Sequence, residues 1–376
     1  MNFIKRKKLL LLFVLAAFLG SFFAGYFLFI FQNNMDNNTI KKSGFSSLIE
    51  QSTTLLDPTP SPLPSPPPSY VIPIGTHVFQ TFNNCGPAAF SMALSYYGIN
   101  VTQQELGQAL RPYQNPQGDN DDKSTTLEEL AEKSQEYGLI PFHRPGGTTE
   151  IMKQFIANNM PVMTRTLLKA GEDIGHYRIV RGYDDTTGKL IQDDSLQNKN
   201  LRYSYNDFNL LWKSYNYEYL VLVPKEKEEI AKAILGGNYD PQVAWENALR
   251  QAQGKLDESP NDIYSRFNLS VALYHTGDYQ RSVEEFEKVR PQLTFRTLWY
   301  QIEPVQAYFE LGNYDRVFQL TDGILNNYNR AFSELYLIRG EIYKKQGNIE
   351  LARTEFEKAV FYNVNLKSAQ EALNSL

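Results

Sequence analysis

Side chains able to ligate soft metals are scarce in this chain: 376 residues include one cysteine and four histidines. A single thiol excludes an intramolecular disulfide and leaves no cysteine-based zinc or iron–sulfur site. Positive charge is in short supply as well. Against 42 Asp and Glu stand 37 Lys and Arg, a net charge of −5, so the basic face of a general nucleic-acid binder is missing. The acidic cluster Asp119-Asn120-Asp121-Asp122 lacks the alternating ligands and trailing Glu of a calcium loop, and reads as a solvated loop. No cofactor and no metal are implied. What the chain does have is apolar content of 42% and aromatic content of 13%, enough for folded cores, over a length that suggests two or three units.

The N-terminal 1–8 is a basic tail with Lys5, Arg6, Lys7 and Lys8, followed by Leu9–Phe31, 23 residues without a charge. As a helix that run would be roughly 34 Å long, enough to cross a bilayer with some tilt. It exceeds the apolar core of a cleavable signal and ends in aromatic residues rather than a small-x-small site. The expectation is a transmembrane anchor at 9–31. The basic flank places the N-terminus in the cytoplasm and residues 32–376 on the extracytoplasmic side of the cell membrane. Residues 32–69 read as a disordered spacer, with seven prolines between Pro58 and Pro68 favouring stiff polyproline II.

Residues 70–225 mix helices and strands. Pro87–Tyr97 is apolar at helical spacing and stops at Gly98, while Thr102 with Glu105 and Thr126 with Glu129 form capping boxes. A further helix is expected at 149–159, and strands at 161–166, 177–183, 189–192 and 217–223. Helices first and strands after point to an α+β domain.

Residues 226–376 carry helical periodicity alone, with a repeat. Gly277, Gly312 and Gly347 are spaced by 35 and 35, and the register extends to Leu273, Tyr308 and Tyr343 and to Val289, Ile324 and Ala359. These units resemble tetratricopeptide repeats, helix–turn–helix pairs that stack into an all-α solenoid. About three clear repeats cover 263–362, with a degenerate earlier unit around Gly237-Asn238-Tyr239-Asp240 and a closing helix from Asn365. The second unit departs from the pattern at Val317 and Thr321. Such an array offers a surface for a protein partner.

Cys85 sits at the start of the Pro87–Tyr97 helix, where the positive end of the dipole favours a thiolate. Of the histidines, His77 lies shortly before Cys85, His143 is in a loop and His275 belongs to a repeat. His176 opens a strand and can face a helix N-terminus across a cleft, as a base for the thiol. The next strand ends in Asp193-Asp194-Ser195, where either carboxylate could orient the imidazole. Singly, each of these residues is more often structural.

Together, NNCGPAAFSMALSYYG, GHYRIVRGYDD and IQDDS resemble the papain-like cysteine peptidases of the bacteriocin leader-processing (double-glycine) type, over roughly residues 71–223. The resemblance implies a papain-like fold, Cys85 as nucleophile, His176 as general base, Asp194 as its orienting carboxylate with Asp193 as competitor, and Gln80 as oxyanion donor. Gln80 stands five residues before the cysteine, where the family more often has six. Leader-processing members are joined to an export transporter and act in the cytoplasm, so an outward-facing domain implies a different peptide or protein substrate. Two other readings stay open: a non-catalytic surface scaffold with this fold, and a thiol acyl or amide transferase.

Overall fold

The computed structural model describes residues 63–113, 124–327 and 329–376. The basic tail, the expected anchor at 9–31, most of the spacer and the 119–122 cluster lie outside them. Among the described residues no helix is long and apolar enough to cross a membrane.

Seven strands form one sheet: β1 (Ser69–Val71), β2 (Ile140–Arg144), β3 (Val162–Leu167), β4 (Gly175–Asp184), β5 (Lys189–Asp194), β6 (Leu201–Ser204) and β7 (Tyr219–Val223). Their order is β2-β7-β3-β4-β5-β6, with β1 added to β4, and the pairings are antiparallel. β4 is long enough to serve two neighbours on one side. Its first half pairs with β3 and its end with β1, while on the other side its pairing with β5 shifts register between Val180 and Gly182. β1 starts within the expected spacer, and the carbonyls of Pro67 and Pro68 accept hydrogen bonds from Tyr183 and Asp185, so the spacer's end is part of the fold.

Because successive strand residues face opposite sides, the sheet buries two cores. Met163, Ile179 and Leu220 meet Ala89, Phe90 and Ala93 of the helix Cys85–Ser95. Val162, Val180 and Val221 meet Phe155, Phe208 and Trp212 of the helices Thr149–Ala157 and Tyr205–Trp212. The helix Glu228–Leu235, sequentially past the expected boundary at 225, puts Ala231 and Leu235 into this second core. Both capping boxes form, Thr102 with Glu105 and Thr126 with Glu129.

The repeats follow as helix pairs: Ile263–His275 with Tyr279–Val289, and Ser333–Lys345 with Ile349–Tyr362, closed by Lys367–Asn374. Gly277, Gly312 and Gly347 end the first helix of each unit at φ 84°, 71° and 76°, a conformation that costs a side chain its ease and glycine nothing. The middle unit is broken. By the 35-residue period, Ser333–Lys345 maps onto 298–310, yet the chain there forms a short turn, Thr297–Tyr300, and a separate helix, Glu303–Glu310. Pro304 is the cause: it has no N–H to give to the carbonyl four residues back, that of Tyr300. That carbonyl accepts instead from Arg165 Nη1 of β3 at 3.0 Å.

Further polar contacts pack the repeats on the α/β layers. Asp262 pairs with Lys213 at 3.0 Å and Asn268 bonds the Lys213 carbonyl; Arg296 pairs with Asp173 at 2.6 Å; Asn365 donates to the carbonyls ending the helix Gln103–Leu110.

Candidate active site

Cys85 is the first residue of its helix, and the close approach beneath it depends on Gly86. A Cβ at Gly86 would lie 1.9 Å from Thr125 Oγ1. Asn84, which precedes the thiol, is tied down by Gln103 and Arg111; its amide donates to the Gln103 carbonyl at 3.1 Å and its Oδ1 accepts from Arg111 at 3.1 Å.

His176 arrives at the start of β4, and the register of the sheet explains its partner. Arg178 lies directly across from Asp194, and His176 is on the same face of β4 as Arg178. Asp194 therefore points at the imidazole, and Oδ1 accepts from His176 Nε2 at 2.8 Å. The same oxygen accepts from the backbone N–H groups of Leu196 and Gln197 at 2.8 and 2.9 Å. Asp193 faces the other way, accepting from Arg181 at 2.8 Å and from Tyr96 at 3.2 Å. Of the two carboxylates that the sequence left open, the geometry brings Asp194 to the histidine and holds Asp193 in a structural ion pair.

With Nε2 committed to Asp194, the other ring nitrogen is left for the thiol, and Cys85 and His176 line the same cleft. The electrostatics follow. Burial pushes the Cys85 thiol up, but its hydrogen bond to His176, the charges of His176 and Arg111, and the Gly86 N–H outweigh burial and hold it below the ordinary value of 9.0. Burial pulls His176 down, and the bonds and charges of Asp194 and Cys85 more than reverse it, so the imidazole sits above its ordinary 6.5. Burial raises Asp194 as well, against the larger lowering effect of His176, Arg178 and the Gln197 N–H. A lowered thiol beside a raised imidazole can exist as a thiolate–imidazolium pair.

Gln80 lies on the wall of the cleft that contains Cys85 and His176. Its N–H bonds the Ser195 carbonyl, and Ser195 Oγ donates to its Oε1 at 2.8 Å, which directs the amide's Nε2 end away from Ser195. All four residues expected at the site are thus assembled. Others were not foreseen: Arg111 and Arg178, whose charges bear on the thiol and on Asp194, and the repeat residues Arg296, Trp299 and Tyr300, which line the same cleft of about 390 Å³. Pro304 in a position expected to be mid-helix was the sequence signal for the last three. His77 bonds the Asp194 carbonyl at 3.0 Å, His143 pairs with Glu218 at 3.1 Å, and His275 stacks on Trp245, all apart from the thiol.

The geometry agrees with what the chain is similar to. Residues 71–220 match the profile of the Peptidase_C39 like family, and residues 333–360 match that of the tetratricopeptide repeat. No curated protein matches the chain. Among solved structures, it is similar to a C39-like peptidase from Bacillus anthracis, at 13% identity over 42% of this chain and 98% of that one, with a TM-score of 0.35. The peptidase domain of Streptococcus ComA, a bifunctional ABC transporter of a quorum-sensing pathway, is similar at 23% identity over 39% of this chain and 97% of that one, with a TM-score of 0.30. MamA is similar at 15% identity over 35% of this chain and 76% of that one, with a TM-score of 0.31. The chain thus carries a peptidase C39-like domain followed by tetratricopeptide repeats.

Proposed function

We propose that the domain is a cysteine peptidase that hydrolyses a peptide or protein amide. The observation that carries this reading is His176, held by Asp194 at 2.8 Å, on the same cleft as Cys85, whose thiol pKa it lowers. In the reaction, the Cys85 thiolate attacks the carbonyl carbon, and the oxyanion is met by the Cys85 backbone N–H and Gln80 Nε2. The His176 imidazolium gives its proton to the leaving amine, which departs and leaves a thioester on Cys85. Neutral His176 then takes a proton from water, the hydroxide equivalent attacks the thioester, and the acid product leaves with the thiolate restored. Asp194 orients the imidazole and balances its charge.

Tetratricopeptide repeats are protein-binding units, and here we assign them to recruiting the substrate or a partner. With an anchor at 9–31 and a stiff spacer, the site would stand outside the cell membrane, clear of its surface.

The test is cleavage of an unfolded protein by the full chain in detergent, read as new N-termini by mass spectrometry. New termini with the native chain and none with Cys85→Ala are expected. Equal cleavage by both would sink the reading, since the nucleophile would lie elsewhere.

A further inference from the structure

The wall of the cleft opposite the α/β domain comes from the repeats. Where the middle repeat breaks at Pro304, the freed turn Thr297–Tyr300 is held against the catalytic layers by Arg165 on the Tyr300 carbonyl and by Asp173 on Arg296. The Tyr300 ring packs against Gly175, the residue before His176. A Cβ at Gly175 would come within 2.7 Å of the Tyr215 hydroxyl and 3.2 Å of the Tyr300 ring, so glycine leaves room for both tyrosines against the strand at this point.

The two walls share a chemical character. On the catalytic rim Phe82, Leu196 and Ile174 are 63%, 49% and 41% exposed, large apolar side chains left in water around one opening. Exposed apolar residues are ordinary when scattered, and informative when they converge. Facing them are Trp299 and Tyr300. Among the described residues that line the cleft, the one charged side chain besides the Cys85–His176 pair is Arg296, which is neutralised by Asp173 and lies 5.2 Å from the centre of the Trp299 ring. A charged side chain entering this space would lose water and meet no unpaired counter-ion among the described lining residues, whereas an apolar one would cover exposed hydrophobic surface.

We infer that the repeats complete the substrate cleft, and that the cleft selects an extended polypeptide segment with bulky, uncharged apolar side chains beside the scissile amide. This rests on the thiol reading above and adds the substrate class and the part of the chain that sets it. Arg296, Trp299 and Tyr300 are specificity residues in this account, and Tyr300 also positions the strand that carries His176.

Cys85 of the full chain is to be alkylated with iodoacetamide, which has no side chain to select, and with three peptidyl acyloxymethyl ketones. The three differ only in having Leu, Lys or Glu next to the ketone. Each rate is divided by the iodoacetamide rate of the same protein. The Leu probe is expected to react at least about tenfold faster than the Lys and Glu probes. Arg296→Glu, beside Asp173, makes the repeat wall acidic and should improve the Lys probe relative to the Leu probe by about tenfold. Ile174→Glu, at an exposed position on the catalytic rim, should move the ratio the same way and stands in should Arg296→Glu fail to fold. Equal normalised rates for the three probes overturn the apolar selectivity. A Leu-to-Lys ratio that shifts with Ile174→Glu and not with folded Arg296→Glu overturns the repeat wall. An iodoacetamide rate that follows an ordinary thiol overturns the thiol reading, and this inference with it.

Discussion

Replacement of His176 by alanine is expected to lower amide hydrolysis by about 10²–10⁴-fold at neutral pH, the range for loss of a positioned general acid–base. The pH profile should change with it. In the native chain, the thiol lies below its ordinary 9.0 and the imidazole above its ordinary 6.5. Activity should therefore rise as the thiolate–imidazolium pair forms on the acid side, and fall where His176 deprotonates, above 6.5. In the variant the thiol loses its largest lowering influence while burial still raises it, so the residual rate should climb in a single step toward strongly alkaline pH. Steady-state rates from pH 4 to 10 on both proteins check this. A variant that keeps a bell-shaped profile would remove His176 from the mechanism.

Asp194→Ala should act on the fold as much as on the chemistry. Asp194 and Arg178 are both fully buried, with Oδ2 and Nε 3.3 Å apart. The Arg178 guanidinium is otherwise bonded to neutral acceptors, Thr166 Oγ1 and the carbonyls of Leu167 and Leu168. Removing the carboxylate leaves a buried cation without its counter-charge and strips three donors from Oδ1. Breaking a buried pair from one side costs about 3–5 kcal/mol, a large share of the roughly 5–15 kcal/mol that holds a typical domain. The sign with pH is fixed by the direction of the shift. The Asp194 carboxyl is held below its ordinary 3.8 in the folded chain, so its contribution is full above that value and lost as pH falls through the lower folded one. Denaturant titrations of native chain and variant should differ by several kcal/mol at pH 7, with the gap closing in strong acid. A difference under about 1 kcal/mol would mean that Arg178 is compensated from elsewhere.

How much of this was legible beforehand depended on whether the signal was local. The helix behind Cys85, both capping boxes and the glycine turns of the repeats are written in short stretches, and the structure has them where the spacing put them. The edge strand β2 went unseen because Pro141 sits inside it, and proline is compatible with a strand at the sheet's edge rather than its middle. The choice between Asp193 and Asp194 depended on which face of β5 each residue occupies, and so on the pairing of β5 with β4. Arg111 acts on a thiol 26 positions away, and nothing in its own neighbourhood points there. The composite cleft is the furthest from local pattern. Its repeat-side wall exists because Pro304 interrupts one helix, and because the freed Tyr300 carbonyl finds Arg165 across a domain junction.

The central claim is a thiolate at Cys85 sustained by His176, and its most direct test is the pH dependence of Cys85 alkylation by iodoacetamide in the full chain, beside His176→Ala. A thiol at the ordinary value of 9.0 is only about 0.1% ionised at pH 6. Even allowing for the weaker nucleophilicity of a more acidic thiolate, the native chain should react at pH 6 on the order of tenfold or more faster than the variant, with a rate that is nearly flat toward pH 8. A native rate that climbs tenfold per pH unit up to an ordinary thiol value, unchanged by His176→Ala, would contradict the account.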